Sequence, residues 1–216
     1  MDRTRARALA KQFVEAGRPT GWFEVLYAEA DSGTAVVPWA DLQPNPNLIP
    51  WLDQHPAEPG RRALKVGCGY GDDAEELCRR DYDVVAFDVA PTAVATCQKR
   101  FPDSKANYVV ADLLDPPAKW KRAFDFVLES YTLQVLPPAQ RAAALSNVAE
   151  FVAPGGTLLV IARGREPDED RGLMPWPLTR AELLQFESHG LTIVEFEDIL
   201  DNESPPVRRF RVTLRR

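Results

Sequence analysis

Apolar and polar positions change their spacing several times along this chain, and each change marks an element. Over residues 2–16, Leu9, Phe13 and Val14 recur among charges at helical spacing, and Gly17 ends the pattern. Thr20 to Ala30 repeats it with Trp22, Val25 and Leu26 on one side, stopped by Asp31-Ser32-Gly33. Prolines punctuate the chain from Pro38 to Gly60, with room for a short helix at Leu48–Leu52 that carries Pro50 in its first turn. Beyond Gly60, strand-type runs alternate with helical stretches. The predicted strands are Arg62–Val66, Val84–Asp88, Ala106–Val110, Phe124–Glu129 and Thr157–Ala162. The helices between and after them fall at about 72–81, 91–100, 117–121, 138–152 and 179–188, with Pro154-Gly155-Gly156 as a turn into the fifth strand. Such alternation argues for a parallel sheet. Thr192–Ile199 and Val207–Leu214 are strand-like and joined by a hairpin-length link, so they should pair antiparallel.

The predicted fold class is therefore α/β: a Rossmann-like, seven-stranded, mostly parallel sheet with an antiparallel C-terminal hairpin. Residues 1–60 read as an N-terminal helical cap that packs on a main domain of residues 61–216, together one compact unit.

Composition narrows the function. The 216 residues carry a net charge of −6 with both signs interleaved, and the Arg clusters near the two ends read as solvated faces. A nucleic-acid groove is not expected. No apolar run approaches the roughly 18 residues of a membrane helix. Three cysteines without C-x-x-C spacing suit reduced thiols in the cytoplasm. Two histidines are too few for a histidine-rich metal centre, and no metal is expected. Monomer and homodimer both remain open.

The chemistry concentrates at Val66-Gly67-Cys68-Gly69-Tyr70-Gly71, where a strand breaks into a G-x-G-x-G loop. Glycine there lets a ligand approach the backbone closely. The helix behind it begins with Asp72, Asp73, Glu75 and Glu76, carboxylates that suit a helix N-terminus but repel a diphosphate. A nucleoside that is cationic or lacks phosphate meets that demand, and S-adenosylmethionine is one. Asp88 ends the second strand, followed by Val89, and can accept hydrogen bonds from ribose hydroxyls or cap the helix at Pro91. Asp112, followed by Leu113, ends the third strand and can accept from an adenine amino group or form a turn. The signal lies in the series, one feature at each successive strand end.

On these motifs, with Phe124–Glu129 and Ala153–Val160, residues 61–163 resemble the class I S-adenosylmethionine-dependent methyltransferases. The resemblance implies sheet order 3-2-1-4-5-7-6, S-adenosylmethionine as cofactor, and methyl transfer to a small-molecule S, O or N nucleophile. Gly67, Cys68, Gly69, Asp72, Asp88, Val89, Asp112 and Leu113 would then bind the cofactor. The family usually has an acid where this chain has Lys65, so Glu129 or an N-terminal residue is left to hold the methionine ammonium. Thiopurine, thiol and halide methyltransferases depart at the same place. Trp22 and Val37-Pro38-Trp39 are also similar to the opening of the thiopurine methyltransferase-like group, which implies that Trp22 and Trp39 cover the cofactor; the alternative is that both are core residues pinning the cap.

Glu129, Ser130 and Tyr131 leave the fourth strand at its carboxyl end, where ligands lie in this architecture: the first two toward the cofactor, Tyr131 to orient or deprotonate an acceptor or simply to pack. Gln134 stands where many relatives have histidine, which argues against a histidine base. The long Arg163–Pro177 segment offers Met174 and Trp176 as walls for an acceptor, and its arginines as ligands for an acid or as a solvated face. Two rivals stand: an NAD(P)-dependent Rossmann oxidoreductase, and a non-catalytic S-adenosylmethionine-binding protein.

Overall fold

The computed structural model describes residues 3–216. Its seven strands form one sheet in the order β3-β2-β1-β4-β5-β7-β6, in which β1 is Arg62–Val66, β2 Asp83–Asp88, β3 Asn107–Val110, β4 Phe124–Ser130, β5 Val152–Arg163, β6 Thr192–Leu200 and β7 Arg208–Arg215. The order is the one that the resemblance implied. Two compact units make up the chain: Gly67–Asp112 with the residues up to Gly60, and Arg61–Val66 with Leu113–Arg216.

In the first unit, α1 spans Thr4–Glu15 and α2 spans Gly21–Asp31. The expected helix start at residue 2 lies outside the described residues. Helix α2 buries Trp22 and Leu26 as its periodicity requires, and also Tyr27. Helix α3, Ile49–Gln54, has Pro50 at its start, where the missing N–H costs nothing. Helices α4, Asp72–Arg79, and α5, Pro91–Arg100, belong to this unit with β2 and β3, which pair in parallel from Val85–Asn107 to Asp88–Val110.

In the second unit, β1 pairs parallel with β4, and β4 with β5, while β7 runs antiparallel to both β5 and β6. Helix α6 spans Pro138–Phe151. Helix α7, Arg180–Ser188, opens on a capping box in which Thr179 and Glu182 satisfy each other's backbone amides. Strand β5 departs from the sequence expectation: it begins at Val152, not Thr157. Pro154-Gly155-Gly156 reads as a turn, yet the chain absorbs it as an irregularity within the strand. Gly155 takes φ 75° and donates to Arg216 O at 2.9 Å. A Cβ on Gly156 would lie 2.9 Å from Ala153 O and 3.0 Å from Phe124 O, so only glycine fits there.

Among the described residues, no helix is long and apolar enough to cross a membrane.

Candidate functional site

The loop after β1 is built from left-handed glycines: φ is 59° at Gly67, 54° at Gly69 and 94° at Gly71. Helix α5 supports it from one side. Cys97 Sγ donates to Gly69 O at 3.1 Å, and Arg100 reaches Tyr70 O and both oxygens of Asp72, the latter at 2.8 Å. At Gly71 a Cβ would meet Tyr108 Oη at 2.7 Å and Cys97 Sγ at 3.1 Å. Strand β2 holds the loop from another side: Cys68 N donates to Phe87 O at 2.8 Å, and Gly69 N to Asp88 Oδ2 at 3.0 Å. Asp88 Oδ1 accepts from Ala90 N at 3.0 Å, but Ala90 is the N-cap of α5 and no side chain at that position caps the helix, so the buried carboxylate holds the loop and the turn before α5 without capping it.

The four carboxylates at the start of α4 are all engaged. Asp72 pairs with Arg100, and Glu76 with Arg80 at 2.9 Å. Asp73 accepts from Asn45 N at 2.8 Å, and Glu75 from Tyr108 Oη at 2.6 Å and Ser104 Oγ at 2.5 Å. Arginines therefore offset much of the charge that the sequence alone suggested would repel a diphosphate. Arg100 was missed because it lies 28 residues from its partner.

An aromatic cluster packs beside the loop. Trp22, fully buried, stacks on Phe23 with ring centroids 3.9 Å apart and meets Trp39 edge-on at 5.9 Å. Trp39 Nε1 donates to Tyr27 Oη at 3.0 Å, and Tyr27 Oη lies 3.3 Å from where a Cβ on Gly69 would stand. Burial, and then the charge of Asp88, push the Tyr27 phenol well above its ordinary value. Sequence reasoning missed Tyr27. Its four-residue spacing from Phe23 was the available signal. Asp112 meets Thr20 Oγ1 at 3.5 Å from the same unit. Val89 is half-buried behind Asp88.

These features fit a nucleoside. The glycine loop is left-handed and packed by the chain's own Tyr27, Tyr108 and Cys97 side chains, and an acid stands at or just past the end of each of the next two strands.

In the second unit, Glu129 is fully buried at the end of β4. Its Oε1 accepts from Thr132 N at 2.8 Å and Leu133 N at 2.9 Å, while Oε2 has no hydrogen-bond partner among the described residues. Burial raises its pKa to about 7, against the two amides and the charge of Lys65. Lys65 is itself buried in β1, and its Nζ donates to Val66 O at 2.9 Å. Ser130 closes β4 opposite Ile161, and Tyr131 turns left-handed at φ 64° with Arg209 5.1 Å from its ring centre. Leu113 is buried and its carbonyl accepts from Asn147 Nδ2 at 2.8 Å.

The segment after β5 is neither a simple solvated loop nor open to an anion at Arg165. That guanidinium is buried and donates to the carbonyls of Glu166, Pro167, Glu169 and Pro177. Met174 is buried and Trp176 half-buried, its N donating to Gln134 O at 2.8 Å. Gln134 is buried and accepts from Arg163 N at 2.7 Å, a structural role. A cavity of about 250 Å³ opens beside α6 and α7, lined in part by Arg141, Leu178 and Glu182; neither Met174 nor Trp176 lines it. His55 stacks on Trp51, and His189 caps α7. No metal-holding group of His, Cys, Asp or Glu occurs among the described residues.

Sheet order and closing hairpin define the class I methyltransferase fold. Residues 63–156 match the family described as a methyltransferase domain. The chain is similar to a ubiquinone biosynthesis O-methyltransferase of Xanthomonas campestris pv. campestris, 33% identical over 113 residues, covering 51% of this chain and 46% of that one. It thus spans about half the length of the curated relatives of that group. It is also 26% identical over 188 residues to a probable thiol methyltransferase 2 of Arabidopsis thaliana, covering 81% of this chain and 82% of the other. The N-methyltransferase NodS of Bradyrhizobium japonicum WM9, solved with S-adenosyl-L-homocysteine, shares the fold at a TM-score of 0.69 and 19% identity, over 89% of this chain and 98% of that chain.

Proposed function

We propose that this protein is an S-adenosylmethionine-dependent methyltransferase that acts on a small-molecule acceptor, with a thiol favoured over an oxygen or nitrogen nucleophile. The observation that carries the reading is the join between Gly69 N and Asp88 Oδ2, which fixes a left-handed glycine loop beside a carboxylate at the next strand end. In this reading Gly67, Cys68 and Gly69 receive the nucleoside, Asp88 and Val89 the ribose, and Asp112 and Leu113 the adenine. Trp22 and Trp39 cover it, and Asp72 keeps its loop in place through Arg100. Glu129 and Ser130 serve the amino-acid end, and Tyr131, Met174 and Trp176 serve the acceptor.

The bound cofactor would supply an already activated sulfonium methyl group. The chain's own residues then need only position the reactants and exclude water. Both histidines have structural places, which leaves no histidine base and suits an acceptor that is nucleophilic without one. The 188-residue similarity to a probable thiol methyltransferase supports the same acceptor class.

Calorimetric titration with S-adenosylhomocysteine tests the cofactor, with NAD(P) as the control ligand. A radiolabelled methyl donor offered with thiols, phenols and amines then tests the acceptor. Saturable binding and labelled thiol products are expected; NAD(P) binding without S-adenosylhomocysteine binding would defeat the reading.

A further inference from the structure

Among the described residues, two hydrogen-bond donors in the aromatic cluster over the glycine loop lack an acceptor. Trp22 Nε1 is buried and has no partner among the described residues. Tyr27 Oη accepts the indole proton of Trp39, which occupies a lone pair and leaves the phenol's own proton undonated. Tyr27 is 2% exposed, so no bulk water stands in for an acceptor. Leaving a buried donor unsatisfied is costly, which makes an undonated phenol over a ligand loop informative. The hydroxyl lies 3.3 Å from the Cβ position of Gly69 in that loop. Burial and the neighbouring Asp88 keep it protonated, so it serves as a donor and not as a base.

The ligand's neutral acceptors are adenine N1, N3 and N7 and the ribose ring oxygen, and a buried phenol donor gains most from an ionised acceptor. The ligand's ribose hydroxyls and adenine amino group can donate to Asp88 and Asp112, and its ammonium is donor-only. The α-carboxylate is its one anionic, acceptor-only group. We propose that Tyr27 Oη donates a hydrogen bond to the α-carboxylate of the amino-acid nucleoside held by the glycine loop. Resting on the methyltransferase reading, this makes Tyr27 a specificity residue: it selects the intact amino-acid nucleoside over relatives that lack the carboxylate. Trp39 fixes the rotation of the phenol by holding its lone pair.

The experiment compares two ligands by calorimetry: S-adenosylhomocysteine, and its decarboxylated analogue, which keeps the ammonium. Tyr27→Phe should weaken the first about tenfold, the scale of one hydrogen bond to a charged group, and leave the second unchanged. Trp39→Phe, which keeps the phenol, should weaken both ligands less than Tyr27→Phe weakens the first. Thermal melts confirm that both variants fold. Equal losses for both ligands in Tyr27→Phe, or no loss for either, would overturn the inference while leaving the cofactor reading intact. Absence of binding by the unaltered protein would remove the cofactor reading and this inference together.

Discussion

Glu24 of α2 closes the N-terminus of α5: its two carboxylate oxygens accept from Thr92 N at 3.0 Å and Thr92 Oγ1 at 2.6 Å. A side chain 68 residues away thus does what a local cap does elsewhere. Glu24→Ala should cost about 1–2 kcal/mol and lower the melting temperature by about 2–8 °C. An unchanged melt would show that the carboxylate adds nothing to the helix start.

Asp88 answers two amides at once, Gly69 N and Ala90 N. Asp88→Ala should weaken S-adenosylhomocysteine binding by about 1–3 kcal/mol, measured by calorimetry on folded protein. Undiminished affinity would take Asp88 out of the site.

Gly71 combines a left-handed backbone with side-chain atoms where a Cβ would go, including Phe101 Cε2 at 3.2 Å. Gly71→Ala adds backbone strain to overpacking and should destabilise the fold by about 2–4 kcal/mol. Gly17, also left-handed but with open space around it, is the control. Gly17→Ala should cost only the backbone part, about 1–2 kcal/mol. Equal denaturation midpoints for the two variants would contradict the packing argument.

Glu129 carries a pH signature. Its pKa, raised from the ordinary 4.5 to about 7, means the folded chain holds a proton that the unfolded chain has lost. Stability from this group is therefore complete below the unfolded value and is lost as pH climbs through about 7. The unfolding free energy of the native chain from urea titration should fall between about pH 5 and pH 8 by more than that of Glu129→Gln, with the difference on the order of 2 kcal/mol. Parallel pH profiles would refute the assignment.

Arg165 organises the segment after β5 by donating to four backbone carbonyls. Arg165→Met keeps the apolar stem but removes those bonds. Limited trypsin digestion should then cut at Arg171 severalfold faster while the melting curve shifts little. Unaltered cleavage kinetics would mean that the segment is held by other contacts.

The repeating signals of the sequence reached most of the architecture, because strand and helix periods and the glycine punctuation are local properties. They located β1, α5 and the hairpin pairing, and they brought the glycine loop and Asp88 together. Cross-chain satisfaction was not local, and so it was missed: Arg100 with Asp72, Glu24 with Thr92, and Arg165 with its carbonyls. The early start of β5 was hidden for the opposite reason. Pro154-Gly155-Gly156 is a strong local turn signal, and only pairing with Phe124 and Arg216 overrides it. Tyr27 escaped because an aromatic on a buried helix face looks like ordinary core until its hydroxyl is seen above Gly69.

The edge-to-face Trp22–Trp39 pair gives the chain a native optical reporter. Indole emission responds to a polar or charged neighbour, and these two rings belong to the cluster around the phenol that approaches Gly69. Trp51 and Trp120, buried in other packing, supply a steadier background. Unlabelled protein in a cuvette can therefore be screened for occupants of the loop by emission quenching alone, before any acceptor is known.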